Sequence, residues 1–389
     1  MGADLSIYFH PVDHRKSDFA KNALGAKLKV HSEEAGFPDL EEIDLAIVGV
    51  KEDRRAVNNM GCSGAPDMVR KYLYQLFEGP YKVKMADLGN VLPGETEEDT
   101  YFALSSTIAE LIKKNVVPII IGGSQDLTYA NYLAYENLEQ VINLVTIDNR
   151  FDMGDPDGAI DSRSYLNKII LHQPNYLFNF ANLGYQTYFV DQEELSLLHK
   201  LYFDTHRLGE VRANMREVEP VVRNADVMSF DVSAIRNSDA PGNENATPNG
   251  FYGEEACQIT RYAGISDKLS SIGFYEINPL YDKEEQTVHL VAQMIWYFMD
   301  GYYSRKRDFP IRNHRDYFNY RITVPENTNE LVFYKSMKSD RWWMDVPYPT
   351  NKRMRYQRHH LVPCSYADYQ VACNREVPDK WWKTFSKLS

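Results

Sequence analysis

The sequence predicts an α/β fold on a mostly parallel sheet, followed by a C-terminal extension that is basic and rich in aromatic residues. Three observations carry this reading. Short runs of β-branched and apolar residues alternate with helix-period segments over the first 300 residues. Those runs are apolar almost throughout, which is the pattern of parallel strands covered by helices on both faces. The surface chemistry then changes near Gly301. Residues 301–389 hold 17 Lys and Arg against 9 Asp and Glu, so the net charge of −12 divides into −20 before that point and +8 after it.

The expected strands are 43–50, 116–121, 143–147, 187–190, 227–230 and 272–277. Between the first two, Met68, Val69, Tyr72, Leu73, Leu76 and Phe77 recur at helical spacing and stop at Gly79-Pro80, and Leu104, Ile108, Leu111 and Ile112 form a second stripe. A third helix is expected to begin near Glu254, and a fourth to cover 284–303. At 389 residues and 43% hydrophobic composition, the chain can bury a large core plus an appendage, divided as 1–300 and 301–389. Cys62, Cys257, Cys364 and Cys373 show neither metal-ligand spacing nor a disulfide framework, which points to a reducing cytoplasm. The N-terminus has no basic region leading into an apolar stretch, and no run of about 18 apolar residues occurs, so neither export nor a membrane span is expected.

In open parallel sheets, ligands gather at the carboxyl ends of the strands. Four motifs fall there: Gly-Gly-Ser-Gln-Asp at 122–126, Asp-Asn-Arg-Phe-Asp at 148–152, Ser-Phe-Asp-Val-Ser at 229–233 and Glu-Ile-Asn-Pro at 276–279. With Asn59-Met60-Gly61 and Gly64-Ala65-Pro66-Asp67, this ordered series resembles the signatures of the ureohydrolase family (arginase, agmatinase, formimidoylglutamase) over about residues 40–300. The resemblance implies an arginase-like three-layer α/β/α sandwich. It also implies two manganese ions bridged by a hydroxide that attacks a guanidinium or amidine carbon, and assembly into trimers or hexamers. Carried over by position, Asp148, Asp152 and Asp231 match ligand aspartates. Gln125 and Arg150 stand where the family has histidines, Ser233 stands where it has an aspartate, and Glu276 matches the glutamate that pairs with the substrate's cationic group.

These replacements bear on metal chemistry directly. An amide oxygen and a hydroxyl are poor substitutes for imidazole and carboxylate ligands of a manganese-type ion. A guanidinium cannot ligate at all, and at ~4 Å with an effective dielectric of ~20 it would repel a divalent ion by roughly 8 kcal/mol. The sequence therefore predicts no metal, no cofactor, and an Arg150 ion-pair cluster with Asp148, Asp152 and Asp231. It points to a catalytically inactive pseudoenzyme that serves protein binding, scaffolding or assembly. The alternative is an active formimidoylglutamase- or arginase-like hydrolase with an atypical manganese site. Taken singly, the three aspartates could be ordinary loop or cap residues, and Glu276 a structural acid. Cys62 could attack an amidine carbon without metal, but no histidine follows nearby and a small buried residue is the simpler reading. The polar segment 155–163 reads as a surface loop and His172 as structural.

The extension carries Trp342-Trp343, Trp381-Trp382 and the basic run 352–360, which includes Arg353 and Arg355. Tryptophan, tyrosine and arginine anchor protein interfaces, and the acidic body is an electrostatic complement. Packing of this segment on its own body or on a sister subunit is expected first, docking of a different protein next and single-stranded nucleic acid last. A homo-oligomer, and partner contacts through the tryptophans and Arg353 and Arg355, are expected.

Overall fold

A computed structural model describes residues 4–81, 83–155, 157–310, 316–324, 330–349 and 356–388. Ten strands form the main sheet: β1 (Phe9–His10), β2 (Lys29–Val30), β3 (Leu45–Val50), β4 (Met85–Val91), β5 (Val117–Ile121), β6 (Ile142–Ile147), β7 (Leu177–Tyr185), β8 (Asp204–Arg207), β9 (Val227–Asp231) and β10 (Ser271–Tyr275). Their order is β1-β4-β3-β5-β10-β9-β6-β7-β8, with β2 also on β4, and β1 on β4 is the one antiparallel pair among them. Every residue of β3, β5, β6, β9 and β10 is buried, as expected of strands with helices on both sides.

Two apolar clusters separate the layers. On one face Leu45, Ile47, Ile119 and Ile121 pack with the helices Ala65–Leu73, Gly253–Gly264 and Gln286–Tyr303; on the other, Ala46, Val48 and Ile120 pack with Glu97–Lys113, Leu127–Asn137 and Tyr165–Leu171. The alternation of side chains along each strand assigns odd and even positions to opposite layers. Helix starts follow local chemistry. The Thr96 side chain accepts from the Asp99 backbone N–H, and the Asp99 carboxylate returns the contact to the Thr96 N–H, closing a capping box at Glu97.

Three expectations about elements need correction. The segment 187–190 is not a strand, since Thr187–Phe189 is a short 3-10 helix beyond the end of β7. The first helix ends at Leu73, ahead of Gly79-Pro80, because a chain reversal brings Phe77 into a bridge with Ala23. The sheet also contains β4 and β7, whose polar residues hid them. Asp87 in β4 receives Nε and Nη2 of buried Arg70 at 2.7 and 2.8 Å, so the polarity is compensated inside the core.

A second, antiparallel sheet follows: β11 (Tyr317–Ile322), β12 (Leu331–Ser336), β13 (Trp342–Asp345) and β14 (Leu361–Cys364), with the helices Tyr366–Cys373 and Asp379–Leu388. It rests on the main body. Arg223 Nη2 donates to the Trp342 carbonyl at 3.2 Å and its guanidinium lies 4.4 Å from the Trp343 ring. Lys383 pairs with Asp204 at 3.0 Å, and Trp381 donates to the Asp345 carbonyl at 3.1 Å. The expectation that all four tryptophans face a partner is therefore corrected. Trp342, Trp343 and Trp381 are 8%, 2% and 1% exposed and fill the extension's own core and its seam with the body, while Trp382 is 53% exposed. Arg353 and Arg355 lie outside the described residues. On these burials Trp381→Ala should cost about 3–5 kcal/mol in urea unfolding, whereas Trp382→Ala should stay within about 0.5 kcal/mol.

Among the described residues all four cysteines are free, and no helix is long and apolar enough to cross a membrane.

Candidate functional site

The four motifs converge where the sheet's carboxyl ends meet. The turn after β5 brings Gly123 so close to Glu52 that an added Cβ would sit 1.9 Å from the Glu52 carbonyl oxygen, so only glycine fits there. That turn delivers Gln125 beneath Glu276, whose Oε1 accepts from the Gln125 backbone N–H at 2.9 Å and whose Oε2 accepts from Asn59 Nδ2 at 2.7 Å. Both Glu276 oxygens are thus held by this chain's own donors. Glu276 itself sits at a φ of 64°, locked by its N–H to the Gly123 carbonyl at 2.8 Å. Burial pushes its carboxyl up to about 7.

Asp148, Asp152 and Asp231 are all buried, at 1%, 7% and 7% exposure. Asp148 Oδ1 accepts from the Arg150 N–H at 2.9 Å and Asp231 Oδ1 from the Ser233 N–H at 2.7 Å, so each first stabilises its own turn. Asp148 Oδ2 has no hydrogen-bond partner among the described residues. Burial raises all three carboxyls, and the charge of Asp148 raises Asp152 and Asp231 further, so the three acids oppose one another's ionisation.

The predicted Arg150 ion-pair cluster does not form. Arg150 Nη1 donates to the Phe189 carbonyl at 3.1 Å, its guanidinium carbon lies 4.5 Å from the Phe189 ring centre, and no carboxylate pairs with it among the described residues. The half-buried ring face and carbonyl hold the cation without the desolvation that entry into the carboxyl cluster would demand. Arg150 forms no ion pair with the acids, yet its charge still lowers Asp148 and Asp152 against the larger effect of burial. Two ionised carboxylates ~4 Å apart at a dielectric of ~20 repel by about 4 kcal/mol, before the further cost of desolvation.

The remaining positions are also committed elsewhere. Asn149 Nδ2 donates to the Ser233 carbonyl at 2.9 Å and to its hydroxyl at 3.4 Å, while Gln125 Nε2 donates to Ser229 Oγ at 3.4 Å and leaves Oε1 without a partner among the described residues. Cys62 is fully buried and its thiol is pushed up, first by burial and then by the Glu276 charge, so no thiolate is on hand. His172 bridges the Tyr129 hydroxyl and Glu136, a packing role. Asp155, Asp157 and Gly158 are at the surface apart from the centre, with Pro156 outside the described residues.

Sequence reasoning missed the asparagines that shape this centre. Asn59, Asn149, Asn182 and Asn243 donate to backbone carbonyls around it, Asn182 to that of Arg150 and Asn243 to that of Glu276. Asn59 and Asn149 stood in quoted motifs, but Asn182 and Asn243 carried no local signal. Asp126 was missed too: burial pushes its carboxyl up to about 6, and the Tyr101 hydroxyl donates to it.

The Arginase family matches residues 43–300. The chain belongs to that family. Among curated relatives, the formimidoylglutamases of Staphylococcus haemolyticus (strain JCSC1435) and Staphylococcus aureus (strain JH9) are each 26% identical over 288 residues, covering 69% of this chain and 92% of the relative. Among solved structures, Trypanosoma cruzi formiminoglutamase with Mn2+2 has a TM-score of 0.63 at 21% identity, covering 69% of this chain and 96% of that one. The agmatine ureohydrolase of Thermoplasma volcanium has a TM-score of 0.59 at 20% identity over 74% of this chain and 97% of that one. These likenesses show the arginase-like fold.

The donors present here do not fit a manganese pair. Three of six ligand positions carry an amide, a guanidinium and a hydroxyl, the guanidinium is turned to Phe189, and the hydroxyl is bound by Asn149. Among the described residues no three His, Cys, Asp or Glu side chains are arranged to hold a metal ion.

Proposed function

We propose that this ureohydrolase-family chain is a pseudoenzyme: three of the six ligand positions at its strand-end centre carry Gln125, Arg150 and Ser233, and the protein works as a binding or assembly component. The observation that carries this reading is that Asp148 and Asp231 accept from the Arg150 and Ser233 N–H groups of their own turns while the Arg150 guanidinium lies on Phe189. Nothing in the centre supplies an activated nucleophile: the thiol is buried and protonated, and no histidine is present at the four motifs. The binding surface is assigned to the extension, where Trp382 and Tyr366 are exposed on a basic segment.

The second reading is a formimidoylglutamase-like hydrolase using a single ion, favoured by the unpartnered Gln125 Oε1 beside three carboxyls and by the names of the relatives. Dialysis against manganese followed by metal analysis, with assays for formamide and urea release from formimino and guanidino substrates, separates the two. Substoichiometric manganese and background release are expected; stoichiometric metal with turnover would replace the pseudoenzyme reading by the hydrolase. For the binding role, Trp382→Ala should shift the assembly state or partner capture of the full-length chain, and an unchanged profile moves the interface elsewhere.

A further inference from the structure

At the amino ends of the parallel strands, opposite the carboxyl cluster, a cleft of about 850 Å³ lies between the body and the C-terminal extension. Its floor is the chain entering β3, β5 and β10, and its walls come from the segment after the helix Gln286–Tyr303 and from Arg358 of the extension. The volume is that of a small-molecule site.

The charge of the lining is unbalanced. Lys268, Arg305, Arg307 and Arg358 face Asp44 and Asp267. Lys268 and Arg358 share one carboxylate, Asp226, at 3.5 and 2.6 Å, and that carboxylate also takes the Asn143 N–H. Arg305 has no carboxylate partner among the described residues; it donates to the Gly264 and Leu269 carbonyls at 2.9 and 3.0 Å and stacks 4.3 Å from the Tyr302 ring. Arg307 is exposed and unpaired among the described residues. Burial lowers Arg305 and Lys268 most; Tyr302 and Asp267 raise Arg305 and Asp226 raises Lys268, and the neighbouring cations Arg307 and Arg358 add smaller lowering effects. Like charges gathered around a cavity create a field that an anion relieves.

One further feature defines the ligand: Tyr303 and Phe309 add aromatic rings to the wall. We propose that this cleft binds an aromatic organophosphate of nucleotide size, with its phosphates at Arg307 and Arg358 in the field of Arg305 and Lys268, and its ring against Tyr303 and Phe309.

Isothermal titration of the full-length protein at fixed ionic strength, with ADP, adenosine and inorganic phosphate as separate probes, tests this. ADP should saturate a single site and bind more tightly than either fragment. Arg307→Glu should weaken ADP by about tenfold or more, the scale of a lost charge-assisted hydrogen bond, and Tyr303→Ala should weaken ADP while leaving inorganic phosphate unchanged. Both side chains are exposed, so both variants keep the fold. Absence of saturable ADP binding, ADP binding no tighter than phosphate, or native-like affinity in Arg307→Glu would each overturn the proposal. None of these outcomes depends on whether the carboxyl cluster is catalytic.

Discussion

The triple variant Gln125→His, Arg150→His, Ser233→Asp should bind manganese about a thousandfold more tightly than the native chain, or better. Even a partner one shell removed from a metal is worth about 10- to 100-fold in affinity, and this variant restores three direct ligands beside three existing carboxylates. The positions are still at the strand ends. Gln125 lies in the β5 turn, Arg150 takes its backbone geometry from Asp148, and Ser233 from Asp231. An imidazole at 150 also removes the cation held on Phe189, and an aspartate at 233 exchanges a neutral hydroxyl for a charge. Equilibrium dialysis with metal analysis reads the change, alongside metal-dependent thermal stabilisation. If the variant folds and its affinity equals that of the native chain, the three side chains are not what closed the site, and the pseudoenzyme reading loses its physical cause.

The sheet was legible where strands are apolar on both faces, as in β3, β5 and β10, and where motifs mark their carboxyl ends. It was illegible where a buried strand is polar. β4 carries Asp87 and Asn90 because Arg70, from the preceding helix, meets both inside the core. β7 carries Asn182 because its amide ties down the Arg150 backbone 32 residues away. Such partners are distant in sequence and leave no periodic trace. The site shows the same division. Which residues stand at the ligand positions was readable, and so was the chemical poverty of an amide, a guanidinium and a hydroxyl. The direction of Arg150 was not, since it depends on a ring and a carbonyl 39 residues further on. Likewise the tryptophan pairs read as a surface from composition, yet strand alternation in β13 sends Trp342 and Trp343 to opposite faces, both covered.

A pH-dependent stability effect is expected at Asp152, and its sign separates a metal-free core from a metal site. Burial first, then the Asp148 charge, holds the Asp152 carboxyl well above its ordinary range. Its folded-state pKa exceeds that of the unfolded chain, so its contribution is fully present below the unfolded value near 4 and is lost as pH rises toward the folded one. Where the folded chain holds a proton that the unfolded chain has released, folding carries a penalty that grows with pH. Asparagine is nearly isosteric with the protonated carboxyl and carries no such penalty. Asp152→Asn should therefore stabilise the protein at pH 7 in urea unfolding, with the gain shrinking toward zero as pH approaches 4. The left-handed backbone at Asp152, with a φ of 53°, is as acceptable to asparagine as to aspartate, so strain does not cancel the effect. A manganese-bound centre predicts the opposite sign, because removing a ligand costs metal affinity and the stability linked to it. A variant that loses stability at pH 7, and loses more when manganese is present, would return the centre to metal chemistry.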